Sequence, residues 1–417
     1  MRAGRWPARP APSASGSRSP GRTGSAPAGG RRRSTTPRLH AGSSSPRPGS
    51  SRSPSFSWID AVAGRRNVRP VRHGGAPAGW LDLSANPNPL GTPAAVRAAI
   101  GAARYDRYAD LDVCAAERHL AADAGVPRAL VLLTAGASEA LRLIATALIE
   151  PGVRGVVAGP TYGEYARVAA LAGATTDEVC ATEPSFDPPL AALASALKAP
   201  GRAIVVICDP NNPTGRSIGA SGYRRLLGAL RAPEAGEAIL VVDQSFAPFA
   251  AARSPIGALL ATERALLVRS LTKRLAVPGV RVGYVLGPPR LLARLRAVRD
   301  PWPVGAHAIA AASAARWELG RSERARIVAW RSSLASGLAA HGLRPVRSDA
   351  NFVLAWAGPR AREILVGLAR RRIAVRDATS FDLPGYLRVA VCPPAEQALL
   401  LAALDALRAA PAPGSAQ

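Results

Sequence analysis

Lysine is almost missing from this chain: of 54 basic residues in 417, all but Lys198 and Lys273 are Arg. Arg substitutes for Lys wherever charge alone is needed, so a Lys that persists in such a background marks a place where guanidinium cannot serve. The Lys amine can shed its proton and condense with a carbonyl, whereas guanidinium stays protonated and is a poor nucleophile. Lys198, in the loop-like context Leu-Lys-Ala-Pro-Gly, reads as a surface charge, and Lys273 reads as chemistry. Cysteine is also sparse. Cys114, Cys180, Cys208 and Cys392 are scattered without metal-ligand spacing, and the last two sit in apolar runs, so reduced, buried thiols in the cytoplasm are expected. No apolar run approaches the ~18 residues that would span a bilayer, and the N-terminus lacks the apolar centre of a secretory signal. A membrane partner is therefore not expected.

Acidic residues are scarce too, 28 against the 54 bases, for a net charge of +26. The imbalance is uneven: residues 1–70 hold 14 Arg and a single acid, Asp60, which is half of the excess. Residues 1–68 are Arg, Ser, Pro, Gly and Ala without apolar period, a composition that cannot offset its ordering entropy and is expected to be disordered. A transit-like peptide would be Arg- and Ser-rich in this way, but the segment has no amphipathic apolar face. An RNA-binding tail would neutralise phosphates with these Arg, yet no interleaved aromatics support it, and a nucleic-acid partner is not expected. The favoured reading is upstream sequence preceding a start at Val62 or Val68, since Met1 is the sole Met.

Beyond about residue 78 strand and helix patterns alternate. Residues 93–103 and 138–149 read as helices. Residues 155–158, 203–208, 238–242 and 266–269 are short apolar runs separated by Gly, Pro or helical segments. Such runs predict a mainly parallel sheet with helices on both faces, an α/β fold. After Pro301 come long Ala- and Arg-rich helices with strands near 352–355 and 386–391, the pattern of a smaller α+β domain.

The polar signatures cluster where the strands end. Thr134-Ala-Gly-Ala-Ser138-Glu139 precedes an apolar helix and is either a phosphate seat of backbone N–H groups or an ordinary N-cap. Pro160-Thr-Tyr162 puts an aromatic on a turn, for ring stacking or for packing. Asp209-Pro-Asn-Asn212-Pro-Thr-Gly215 is a loop rigid enough to hold an amide at a chosen point. Asp243 closes an apolar strand, where a carboxylate needs a cation or a salt bridge. Ser270-Leu-Thr-Lys273 follows the next strand, with Arg281 eight residues on.

Together these motifs resemble the fold-type I aminotransferase family, class I and II, over residues 72–408. The resemblance implies a large domain with a mainly parallel sheet plus a smaller α+β domain, and pyridoxal 5'-phosphate as cofactor. It implies that Lys273 is the Schiff-base lysine and the catalytic residue, that Asp243 pairs with the pyridinium nitrogen, that Asn212 bonds the ring hydroxyl oxygen and that Tyr162 stacks on the ring. The cofactor phosphate would meet Ala137, Ser138, Ser270 and Arg281. Arg107-Tyr108-Ala-Asp110 matches the segment whose Tyr reaches the phosphate in the neighbouring subunit, so a homodimer is implied. Arg388 and Arg376 match residues at the substrate's anionic end, where His73 and Asn86 would join them to hold a small phosphorylated amino acid. The partition expected is a tail (1–68), an N-terminal segment packing on the small domain (69–105), a large cofactor domain (106–300) and a small domain (301–410).

Finer motifs are similar to the threonine-phosphate decarboxylase branch of the cobalamin pathway. They are His73-Gly-Gly75, Leu81-Asp-Leu-Ser-Ala-Asn86-Pro-Asn-Pro-Leu-Gly91, Ala-Val-Pro-Gly-Val-Arg after Lys273, Pro301-Trp302, and Phe246 three residues after Asp243. The expected reaction is decarboxylation of L-threonine O-3-phosphate to (R)-1-amino-2-propanol O-2-phosphate, with Lys273 returning a proton to Cα. The alternatives are a histidinol-phosphate aminotransferase of the same family and, from another class, a basic nucleic-acid-binding protein acting through the tail. Two positions depart from the family pattern: Gln244 stands for the usual Glu, and Arg274-Leu275 for an aromatic pair. Arg274 would place a cation near the Schiff base and tune its pKa or substrate preference.

Overall fold

A computed structural model of the protein describes residues 73–109, 113–233 and 236–409. All of these fall within one compact unit, residues 57–417. The expectations for the tail at 1–68 lie outside the described residues.

The apolar runs form strands within a residue or so of where the sequence puts them. In chain order the strands are β1 (Leu81–Leu83), β2 (Val131–Thr134), β3 (Arg154–Gly159), β4 (Thr176–Cys180), β5 (Ala203–Cys208) and β6 (Ile239–Asp243), then β7 (Ala265–Arg269), β8 (Gly283–Leu286), β9 (Arg344–Pro345), β10 (Phe352–Trp356), β11 (Ile373–Asp377) and β12 (Tyr386–Ala390). Strands β2 to β8 make one seven-stranded sheet in the order β2-β8-β7-β6-β5-β3-β4. Pairing is parallel except at β8, which runs antiparallel to both β2 and β7.

The central strands read as uninterrupted apolar runs because both their faces are covered. Val241 of β6 and Leu266 and Val268 of β7 enter one core with the helix Ala137–Leu148. Leu240, Val242 and Leu267 enter the opposite core with the helix Gly219–Arg231. Alternate residues thus feed opposite layers, as the two-residue strand period requires. With water excluded from both faces, the polar residues of the sheet collect at one edge. The carboxyl ends of β2, β3, β5, β6 and β7 and the amino end of β8 share that edge, where ligands of open α/β sheets bind.

The five-stranded sheet has the order β1-β11-β12-β10-β9, and β1, from the N-terminal part of the chain, pairs parallel with β11. β11 and β12 are antiparallel, with Arg376 directly opposite Arg388. Lys198 ends the helix Leu190–Lys198 and is exposed, where a cation suits the helix dipole. Cys208 and Cys392 are buried as expected, whereas Cys114 is half-buried and Cys180 exposed. No helix among the described residues is long and apolar enough to cross a membrane.

Gly283, the first residue of β8, is fixed by space. A Cβ there would lie 2.7 Å from the Arg269 carbonyl oxygen and 3.1 Å from the Ala137 nitrogen, both backbone atoms that cannot rotate aside. The close approach holds the turn before Ala137 against the strand that leads to Lys273. Gly283→Ala is expected to cost about 1–3 kcal/mol by overpacking, read as a lower midpoint in chemical denaturation with an unchanged slope.

Candidate active site

Each functional side chain stands where a strand runs out. β3 ends at Gly159 and delivers Tyr162, β5 ends at Cys208 and delivers Asn212, β6 ends on Asp243 itself, and β7 ends at Arg269, just before Ser270 and Lys273. These residues line a cavity of about 330 Å³. Twelve of the thirteen residues singled out from the sequence border it. Ala137, Ser138, Ser270 and Arg281 are at one end, and His73, Asn86, Arg376 and Arg388 at another, with Tyr162, Asn212, Asp243 and Lys273 completing the lining. The thirteenth, Tyr108, is exposed and stacks on Trp302 with ring centroids 4.6 Å apart. Neither ring borders the cavity.

Lys273 sits on a four-residue helix, Leu271–Arg274, tied back by the Thr272 hydroxyl, which donates to the Val282 carbonyl at 3.0 Å. Burial of its amine, reinforced by Arg388 and Arg281 and opposed by Asp82, pushes its pKa down to about 8. A neutral, nucleophilic amine is therefore accessible near neutral pH.

Asp243 is 3% exposed. Its Oδ1 accepts from the Ser245 backbone N–H at 2.8 Å and hydroxyl at 2.6 Å, and its Oδ2 accepts from the Tyr165 hydroxyl at 2.7 Å. No cation pairs with it among the described residues, and burial raises its pKa. Tyr162 meets Tyr165 edge-on at 5.6 Å and lies 5.8 Å from the His73 ring, while His73 also faces Glu164 at 3.5 Å.

At the anionic end, Gly136 has φ 83°, and a Cβ there would come within 3.0 Å of the Arg281 guanidinium. Only glycine allows that guanidinium to lie against the N-terminus of the helix Ala137–Leu148, so backbone N–H groups, Ser138, Ser270 and Arg281 converge on one spot. At the other end Arg388 is 5% exposed. It donates to the Asn212 side-chain oxygen and, at 2.7 Å, to the Ser84 carbonyl, while its Nε has no hydrogen-bond partner among the described residues. Burial, and then the charge of Arg376 across the strand pair, pushes its pKa down to about 9, with Asp82 opposing. Arg376 donates to Ser380 at 2.7 Å and lies over the Phe381 ring. The Oδ1 of buried Asn86 is likewise without a partner among the described residues. Two adjacent buried cations on the cavity wall make a receptor for an anionic group.

The pocket fits pyridoxal phosphate. A buried carboxylate that lacks a cation, an amine that loses its proton readily and a glycine-cleared anion seat are what its ring nitrogen, aldehyde and phosphate require.

Several lining residues were not identified from the sequence. Ser245 and Tyr165 matter only through Asp243, and Tyr165 is 78 residues away from it; Ser84 and Thr272 act through backbone contacts. One expectation is corrected. Arg274 does not bring its charge to Lys273: its guanidinium donates to the carbonyls of Trp317 and Glu318, both at 2.9 Å, on the side away from the cavity. Gln244, at the Glu position of the family, accepts from Arg269 at 2.9 Å and donates to Ser254 at 2.6 Å.

A profile of the family described as aminotransferase class I and II matches residues 78–407. The chain is 32% identical over 336 residues to histidinol-phosphate aminotransferase 2 of Ralstonia nicotianae, covering 78% of this chain and 88% of the relative. It is 34% identical over 331 residues to the histidinol-phosphate aminotransferase of Symbiobacterium thermophilum, covering 78% and 90%. Among solved structures it is similar to the histidinol-phosphate aminotransferase of Sinorhizobium meliloti in complex with pyridoxal-5'-phosphate, at TM-score 0.69 and 24% identity over 86% of this chain and 98% of that one.

These findings overturn the expectation of a threonine-phosphate decarboxylase, and with it a place in the cobalamin pathway: the relatives are aminotransferases. Several of the motifs behind that expectation also have packing roles, although Phe246 and Gly74 border the cavity as well. Phe246 packs edge-on against Phe352 at 5.0 Å, Trp302 is half-exposed outside the cavity, and Gly74 is required because a Cβ would lie 2.5 Å from the Ser84 carbonyl oxygen. With the profile matching nearly all of the described residues and the fold that of the type I enzymes, the chain belongs to the class I and II aminotransferases.

Proposed function

We propose that the protein is a pyridoxal-phosphate-dependent aminotransferase that moves the amino group of histidinol phosphate to a 2-oxo acid, and that it works as a homodimer. The carrying observation is the pairing of a readily deprotonated Lys273 with a double-arginine anion receptor across one cavity. The names of the relatives support the choice of substrate.

When bound, the cofactor supplies an aldehyde to which amines add and a ring that accepts the electron pair released at Cα. The rest is the work of this chain. Ser138, Ser270, Arg281 and the N–H groups before the helix Ala137–Leu148 hold a phosphate dianion. Tyr162 would hold the ring, Asn212 would offer its amide to the ring hydroxyl, and Asp243 would support a proton on the ring nitrogen. Lys273, once freed from covalent attachment, is the group that takes the proton from Cα and returns it elsewhere. A base with a pKa near the working pH suits both halves of that transfer. Arg388 and Arg376 bind the phosphate of one substrate and the carboxylate of the other, with buried Asn86 and exposed His73 also on the cavity wall.

The homodimer reading draws on Tyr105 and Tyr108, 82% and 78% exposed, beside half-exposed Trp302, an aromatic patch that a second copy would cover. In light scattering the purified protein is expected to have twice the chain mass, and a monomer retaining full activity would overturn this reading.

Incubation with histidinol phosphate and 2-oxoglutarate is expected to yield glutamate without CO₂, and Lys273→Ala to abolish turnover. Failure to form glutamate with any phosphorylated amine would overturn the proposed reaction. Because the free Lys273 amine titrates at about 8, attachment of pyridoxal phosphate to the apoprotein should accelerate as pH rises to that value and then level off. Stopped-flow absorbance would read this; a rate still climbing nearly tenfold per unit around pH 9 would mean an unperturbed lysine.

A further inference from the structure

Asp243 poses a problem of accounting. A carboxylate offers about four lone-pair positions, two on each oxygen. Both positions on Oδ1 are taken, by the backbone N–H and the hydroxyl of Ser245. Oδ2 accepts from the Tyr165 hydroxyl, which leaves it one further position. A ring N–H at Asp243 must therefore share Oδ2 with Tyr165.

We propose that Tyr165 and Ser245 are positioning residues that fix the aim and the charge of Asp243, with the Tyr165 hydroxyl setting how strongly Oδ2 draws on the proton of the ring nitrogen. The proposal rests on the cofactor reading given above. Tyr165 is itself buried, 3% exposed, at the start of the helix Glu164–Leu171, and it is held edge-on by Tyr162 with its hydroxyl between Oδ2 and the Cys208 thiol.

The surroundings give the hydroxyl its leverage. The titratable groups facing Asp243 are Tyr162 and Tyr165 from the segment after β3 and Cys208 from the end of β5, none of them a cation. Burial favours the protonated carboxyl, and the donors from Ser245 and Tyr165 oppose it. Removing one donor makes the carboxylate more basic, so the shared proton moves from the ring nitrogen towards Oδ2. The ring then withdraws fewer electrons, and the nitrogen that joins the cofactor to Lys273 becomes more basic. The charged groups facing that end, Arg388, Arg281 and Asp82, stay in place and act equally on wild type and variants.

The test is the pH titration of the visible absorption band of the holoenzyme, for wild type, Tyr165→Phe and Ser245→Ala. Phe keeps the ring and loses only the hydroxyl, and Ala at 245 keeps the backbone donor. Tyr165→Phe is expected to move the midpoint up by about half a unit to one unit, the scale of one hydrogen bond to a charged group attenuated through the ring. Ser245→Ala should move it the same way by less, as one of two donors on Oδ1 remains. Identical midpoints in all folded holoenzymes would overturn the positioning role while leaving the cofactor reading intact. Absence of a visible band in the wild-type protein with added cofactor would overturn both.

Discussion

A sheet buried on both faces can display chemistry only where its strands stop. In this protein the central strands carry Leu, Val and Ile into two separate cores, so a polar group within them would be cut off from water at a cost of several kcal/mol. Their last residues and the turns beyond are the first positions at which Asp243, Asn212 or Lys273 can be tolerated. The arrangement of the site follows from that exclusion. Because β8 reverses direction, its amino end brings Arg281 to the same edge, and Gly283 lets it approach closely enough to meet the turn at Gly136. The five-stranded sheet then closes the other side with Arg376 and Arg388 from a single cross-strand pair.

The electrostatics of the cavity are those of a site prepared for anions. Lys273 is surrounded by Arg281 and Arg388, and both neighbours, like burial, discourage its proton. The same cations that would hold phosphate and carboxylate therefore also keep the lysine nucleophilic. Asp82 is the counterweight: it accepts from Ser84 at 2.6 Å and opposes the shifts at both Lys273 and Arg388. Through the Ser84 carbonyl, bonded to Arg388, and the Ser84 hydroxyl, which accepts from the Gly75 N–H at 2.9 Å, the segment carrying His73 is fastened to the anion receptor. Covalent chemistry, substrate binding and the N-terminal strap thus share a small number of atoms.

Much of this was legible in the sequence because its causes are local. β3, β5, β6 and β7 are apolar runs bounded by Gly, Pro or a polar turn, and the scarcity of Lys left Lys273 conspicuous. β2 and β8 were not read as strands: each has four residues, and a short antiparallel strand looks like the loop that flanks it. Direction was equally hidden. Arg274 adjoins Lys273 in the chain, yet on a single helical turn adjacent side chains point about 100° apart, and its guanidinium ends among the carbonyls of the segment before the helix Arg321–Ala340.

Substrate choice was the least legible feature, and its misreading has a physical basis. Of the residues that suggested a decarboxylase, Phe246 packs on Phe352 while also bordering the cavity, and Trp302 lies outside it, so neither their type nor their position singles out one reaction. What separates amino transfer from decarboxylation is which bond at Cα is held perpendicular to the cofactor ring, a matter of angles set jointly by Arg388, Arg376 and the rim. No single residue type encodes an angle. If the buried pair of arginines holds the substrate's anion, as proposed, the distance from that anion to Cα depends on the length of the substrate. Two guanidinia on neighbouring strands concentrate positive charge at one place on the cavity wall, whatever the length of the molecule that carries the anion. That placement follows from the register that sets Arg376 opposite Arg388.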